Sequence, residues 1–189
     1  MNGPEAPASD RDLILRAQTG DTRAFGELVT RHMRRAYFAA LGLLGSHDDA
    51  LDISQEAFVR AYHARDRLDP ARPFYPWLYQ ILRRLCFNAL RDRRARSDAL
   101  IAATPWLENQ ANSSAADPGR ELERSELRRR IAAELEQLPA HEREVFVLRE
   151  FEGLRYREIA ELAEIPVGTV MSRLYSARRH LADRLGDLW

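Results

Sequence analysis

The stretch that decides the fold is Gly153–Leu185, GLRYREIAELAEIPVGTVMSRLYSARRHLADRL. It reads as two helices joined by a tight turn. Between Arg155 and Ala163 the residues Ile159, Leu162 and Ala163 fall on one apolar stripe, and Pro166 with Gly168 then breaks the pattern. A second stripe follows at helical spacing, carrying Val170, Leu174, Ala177, Leu181 and Leu185. At about 100° per residue the opposite face presents Gly168, Ser172, Tyr175, Ser176 and Arg179, flanked by Thr169 and Arg173. A short helix, a turn with glycine and a second helix with a hydroxyl-rich, cationic outer face match the helix-turn-helix of duplex DNA readers. A plain helical hairpin with one solvated side fits the same periodicity. The second helix nevertheless gathers Arg173, Arg178, Arg179 and Arg184 against only Asp183 and Asp187, while the helices before it are acid-rich, which favours DNA.

The rest of the chain sets bounds on that reading. Its 189 residues fit one large or two small domains. The 29 basic and 29 acidic side chains cancel, so any DNA contact needs local segregation of sign rather than a general cationic coat. Every basic residue counted there is Arg, whose planar fork suits phosphate and guanine. Cys86 is the only cysteine, which excludes an internal disulfide or a Cys-rich zinc site and agrees with a reducing cytoplasm. No apolar run reaches the length of a membrane span, and the amino terminus lacks a signal core. The expectation is a soluble cytoplasmic protein without membrane insertion.

Taken in order, residues 1–9 are expected to be disordered and an all-α chain to follow. Ser9 or Asp10 caps a short helix with Leu13, Ile14 and Ala17. Asp21 or Thr22 opens a longer one, ended by Gly42 with Gly45. Ser46 caps a third, with Asp48 and Asp49 at the positive end of its dipole. A Pro-rich loop, Leu68–Pro73, leads to a fourth helix, Phe74 to about Ala95. Residues 97–119 lose periodicity and read as a flexible linker that contains Trp106 and Leu107. Asp117 and Pro118 restart helix, which runs to Pro139 and is followed by the helix with Val145, Phe146 and Leu148. The divisions are 10–96 and 120–189, two small helical domains around the linker 97–119.

Two further groups of residues carry possible function. On the third helix, Asp49, Asp52 and Glu56 share one side, with Gln55 and Val59 beside them. A solvated face, a docking surface for a basic helix of another protein, and a divalent-metal site all remain open. For the metal the chain offers no matching Glu-x-x-His pair or second carboxylate helix. Around the fourth helix, Phe74, Tyr75, Trp77 and Tyr79 adjoin a run of arginines, the composition of a surface that stacks unpaired bases and tracks a phosphate backbone. Trp77 reads as core. Tyr75 and the distal arginines are the candidates for contact, and an amphipathic helix with a basic solvated end is the alternative.

DDALDISQEAFVRAY (48–62), RPFYPWLYQILRRLCFNALRDRRAR (72–96) and LEQLPAHEREVFVLREFEGLRYREIAELAEIPVGTVMSRLYSARRHL (135–181) together resemble the extracytoplasmic-function (ECF) group of the bacterial sigma-70 factors. The resemblance runs from about Asp10 to Leu185. It implies a region 2 that docks the β′ clamp coiled coil of core RNA polymerase through Asp49, Asp52, Gln55, Glu56 and Val59. It implies that Arg65, Arg72, Phe74, Tyr75, Arg83, Arg84, Asn88 and Arg91 take and melt the −10 promoter element. A region 4 near the β flap reads −35 duplex through Arg155, Tyr156, Gly168, Thr169, Met171, Ser172, Arg173, Tyr175, Ser176 and Arg179. The linker is expected to run towards the RNA-exit path, and an anti-sigma factor to clamp between the domains. No catalytic residue, metal site or cofactor is expected, since the chemistry belongs to the polymerase. Met171 and Ser176 stand where the family commonly has basic residues, and Pro166 where a polar cap is common, so no −35 consensus transfers. The rival is a two-domain helix-turn-helix regulator that is not a polymerase subunit.

Overall fold

Ser9 starts the first helix because its hydroxyl accepts from the Asp12 amide while the Asp12 carboxylate accepts from the Ser9 amide. Two donors that a helix end leaves free are thereby satisfied. Asp21 and Ser46 cap the next two helices in the same way, through the amides of Arg23 and Ala24 and of Asp49. In this computed structural model residues 8–103 and 133–185 are described. They form α1 (Asp10–Gln18), α2 (Thr22–Leu44), α3 (His47–His63), a 3-10 turn (Arg65–Arg67) and α4 (Phe74–Ala103). A helical turn at 133–136 precedes α5 (Ala140–Glu150), α6 (Tyr156–Ala163) and α7 (Val167–Leu185). Among the described residues every regular element is helical, and none is long and apolar enough to cross a membrane. The expected disorder over residues 1–7, the remainder of the linker with Trp106 and Leu107, and the helix expected after Pro118 up to residue 132 lie outside the described residues.

The first four helices close on a core of Leu13, Ile14, Leu28, Leu43, Phe74 and Leu82. Phe25 meets Tyr62 and Phe74 edge to face, with ring centroids 5.1 Å and 6.3 Å apart. Cys86, fully buried on α4, has its thiol pushed up to about 12, first by burial and then by the charge of Glu144. In the second unit, Ile159 and Leu162 of α6 and Val170, Leu174 and Ala177 of α7 cover Val145 and Leu148 of α5.

Three boundaries differ from those read in the sequence. Helix α2 continues through Gly42 and stops at Gly45, which is left-handed at φ 70°. Gly42 instead lies where α2 meets α5, and a Cβ there would sit 2.6 Å from a methyl of Val147. Gly42→Ala is therefore expected to cost about 1–3 kcal/mol through overpacking, with Val147→Ala in the same chain restoring most of it. Urea denaturation of the two variants and the double checks this. The turn between α6 and α7 bends at Glu164, which is left-handed at φ 55°, and Gly168 lies inside the first turn of α7. Helix α4 runs through residues 97–103, beyond the expected end at Ala95, where Ala and Leu favour continuation.

Candidate nucleic-acid interface

Helix α3 lays Asp52, Gln55, Glu56 and Val59 on its solvent side, with Val59 51% exposed. Asp49 is half-buried and paired with Arg93 of α4, and Glu56 is paired with Arg60 at 2.7 Å. Leu51, absent from the expected set, is exposed one turn before Gln55, so Leu51, Gln55 and Val59 make an apolar-polar-apolar strip along the acidic edge.

Four residues of the expected −10 surface are covered or engaged in this structure. Phe74 is a core residue at 0% exposure, packed on Phe25 and Trp77, and cannot meet a base. Tyr75 is 3% exposed; its hydroxyl donates to Glu152, and the Arg35 guanidinium lies 3.7 Å from its ring centre. Arg83 is not a free cation, since it forks onto the Glu144 carboxylate at 2.5 Å and 3.1 Å. Arg65 donates to the carbonyls of Ala17 and Tyr62 and stacks on Tyr62, which ties the 3-10 turn to α1 and α3. Arg84, Asn88 and Arg91 remain exposed at helical spacing on one face of α4, with Arg72 exposed in the preceding loop.

Tyr75 and Arg83 are covered because the second unit sits against the first along α2 and α4. The contact carries several buried or partly buried hydrogen bonds and ion pairs. Tyr79 adds a hydroxyl bond to Glu144, which has no solvent exposure, and burial raises the Tyr79 phenol well above its ordinary pKa. Gln80 donates to the carbonyl of Leu162 at 2.6 Å, and Arg143 of α5 to the carbonyl of Leu43 at 2.6 Å. Arg35 bonds Glu152 at 2.9 Å. None of these partners is visible in a single sequence. Glu144 and Arg83 stand 61 positions apart, and neither breaks the periodicity of its own helix.

Burial raises the Glu152 carboxyl above its ordinary range, against the lowering pull of Arg35 and Tyr75. A carboxyl raised on folding adds stability that is fully present below its ordinary pKa of about 4.3 and is lost as pH climbs through the raised value. Glu152→Gln, neutral throughout, is expected to equal the parent at the acid end and to gain on it through that window. Urea midpoints from about pH 4 to pH 8 check the sign.

Helix α7 presents its N-terminal half outward. Gly168, Met171, Ser172 and Tyr175 are exposed, and Thr169 and Ser176 are half-buried at one flank. Ser172 spends its hydroxyl proton on the carbonyl of Thr169, leaving it an acceptor. Arg173 is half-buried, with one terminal nitrogen buried and unpartnered among the described residues. Arg178 is drawn to Glu150 at 2.6 Å, whereas Arg179 has only Asp183 at 3.9 Å. Arg155 opens α6, where its amide is held by Glu158, and Tyr156 lies half-buried beneath Arg149.

Residues 28–96 match the family model described as Sigma-70 region 2, and residues 128–181 that described as Sigma-70, region 4. The RNA polymerase sigma-H factor of Pseudomonas aeruginosa is 34% identical over 183 residues, covering 95% of each chain. The chain belongs to the sigma-70 family, in its ECF group. Its similarity to the ECF RNA polymerase sigma-E factor of Escherichia coli K12 is of the same order, 34% identical over 95% of this chain and 96% of that one. The ECF fold is seen again in CnrH, solved in complex with the cytosolic domain of CnrY, at a TM-score of 0.69 and 31% identity over 95% of this chain and 99% of that one. The sigma factor RpoE of Bartonella quintana, solved with the anti-sigma factor NepR, shares the fold at a TM-score of 0.65 and 24% identity over 87% of this chain and 98% of that one. As an ECF sigma factor the chain directs promoter-specific transcription initiation by RNA polymerase.

Proposed function

We propose that this sigma factor divides its work among three surfaces and carries no catalysis of its own. The α3 strip with Asp52, Gln55, Glu56 and Val59 docks the β′ clamp coiled coil, with Asp49 at its edge. Arg72, Arg84, Asn88 and Arg91 take the −10 strand, joined by Tyr75 and Arg83 once the second unit moves off them. Helix α7, with Arg155 and Tyr156 of α6 beside it, reads the −35 duplex near the β flap. The observation that carries the reading is the distribution of exposed groups: an acid strip with apolar ends on α3, exposed arginines on α4, and the outward Met171, Ser172 and Tyr175 on α7. Such a protein works beside polymerase in the cytoplasm.

An anti-sigma factor is the proposed inhibitory partner; CnrH, 31% identical, is solved bound to the cytosolic domain of another protein, CnrY. The groove between the two units, about 870 Å³ and lined by Arg34, Phe38, Leu41, Val147 and Phe151, is the surface offered to that partner. The test adds the purified chain to core polymerase and a panel of promoter templates. Promoter-specific transcripts are expected, whereas DNA binding without transcripts would favour a regulator that is no polymerase subunit. Arg179→Ala is expected to lower promoter occupancy and reduce the slope of log affinity against log salt by about one. A salt titration of holoenzyme binding measures it.

A further inference from the structure

Helix α7 has an apolar edge whose chemistry in the −35 reading the family resemblance does not specify. Val167, Met171 and Tyr175 succeed one another at four-residue spacing and are 39%, 55% and 69% exposed. Large apolar side chains on consecutive turns gain nothing from water, so a surface of matching chemistry is expected to cover them. The same half of α7 is poor in groups that bind guanine. Guanine is read in the major groove by a two-donor fork aimed at its O6 and N7. Val167 and Met171 have no donor, Ser172 has committed its proton to Thr169, and Arg173 is half-buried on the far flank. The next cations are Arg178, exposed but paired with Glu150, and Arg179, a full turn after Tyr175.

One apolar group is displayed on the floor of the major groove, the C5-methyl of thymine. We infer that α7 reads thymine in the upstream promoter duplex, with Met171 and Val167 packing on C5-methyl groups and Tyr175 closing the edge of the contact. A duplex rather than a protein surface fits this edge because its surroundings suit a polyanion. Gly168 leaves the start of the helix open, with nothing within 4 Å of the position a Cβ would take, and Arg155 and Arg157 of α6 and Arg179 of α7 are exposed cations of the same helix-turn-helix. The inference rests on α7 being the duplex reader and adds to that reading which base it prefers and through which atoms.

The experiment uses holoenzyme reconstituted from core polymerase and the full chain. A promoter library randomised across the upstream element is selected for binding, and the thymines of the enriched element are then replaced by deoxyuridine, which lacks only the methyl. One methyl removed from a buried contact is expected to lower occupancy about 3- to 10-fold at one or two positions. Met171→Ala should abolish that uracil penalty at one position, and Met171→Arg should move the preference there towards guanine. Met171→Gln, which keeps the length of the side chain, guards against a general defect and should also lose the penalty. Equal binding of thymine and uracil templates would overturn the inference, as would a Met171→Ala protein that keeps the full penalty. Failure to enrich any upstream element would count instead against α7 as the duplex reader.

Discussion

Asp52→Arg combined with Glu56→Arg is expected to lower binding to core polymerase by about 100-fold or more while helical content and melting temperature stay near the parent values. Both side chains are exposed on α3, and neither supports the core, which is built by Ala50, Ala57, Phe58 and Ala61 on the opposite side. The local consequences are like-charge i,i+4 pairs, position 52 with 56 and position 56 with Arg60, each costing about a few tenths of a kcal/mol on an exposed helix face. On the proposed docking, in which the acidic face meets a basic surface, two attractions are exchanged for two repulsions. Native gels with core polymerase, read beside circular dichroism, separate the outcomes. Unchanged holoenzyme formation would remove this face from the docking surface.

The second large effect belongs to the contact between the units. Arg83→Ala leaves the Glu144 carboxylate, fully excluded from water in the closed chain, with only the Tyr79 hydroxyl as partner. Removing one member of a buried pair costs about 3–5 kcal/mol. Here the chain has a way out, because moving the two units apart returns Glu144 to water. The expected result is therefore a shift from closed to open by about two to three orders of magnitude, at ~1.4 kcal/mol per decade, with each unit still folded. Small-angle scattering should report a larger radius of gyration, and thermal unfolding should broaden towards two transitions. Arg83→Leu with Glu144→Leu, an apolar pair of similar volume, is expected to close the chain again. If Arg83→Ala stays as compact as the parent, the ion pair does not govern closure.

Local chemistry was readable and distant chemistry was not. The caps at Ser9, Asp21 and Ser46 and the stripes of α6 and α7 follow from rules that span four residues, and the structure has them. Gly42 looked like a helix end because glycine usually is one, yet its purpose is an approach by Val147, about a hundred positions away along the chain. Pro166 and Gly168 announced the turn, but Glu164 takes the left-handed conformation that favours glycine, so its residue type did not mark where the chain bends. Phe74 and Tyr75 carried the right composition for base stacking and the wrong placement. Composition does not say which side of α4 is covered, and that is decided by Glu144 and Glu152 from the other unit. The acidic face of α3 was legible because Asp49, Asp52 and Glu56 recur at helical spacing, whereas Leu51, exposed beside them, carries no charge to mark it.

Cys86 gives the closed chain a clock. At neutral pH a thiol with a pKa of about 12 is ionised to roughly one part in 10⁵, and no reagent can approach one with no exposed surface. Part of that suppression comes from Glu144 across the contact between the units, so separation of the units removes the neighbouring charge. Alkylation of this single site thus proceeds at a pace set by how often α4 is uncovered. A time course of labelling before and after polymerase is added would count those openings directly, in the native chain and without an engineered probe.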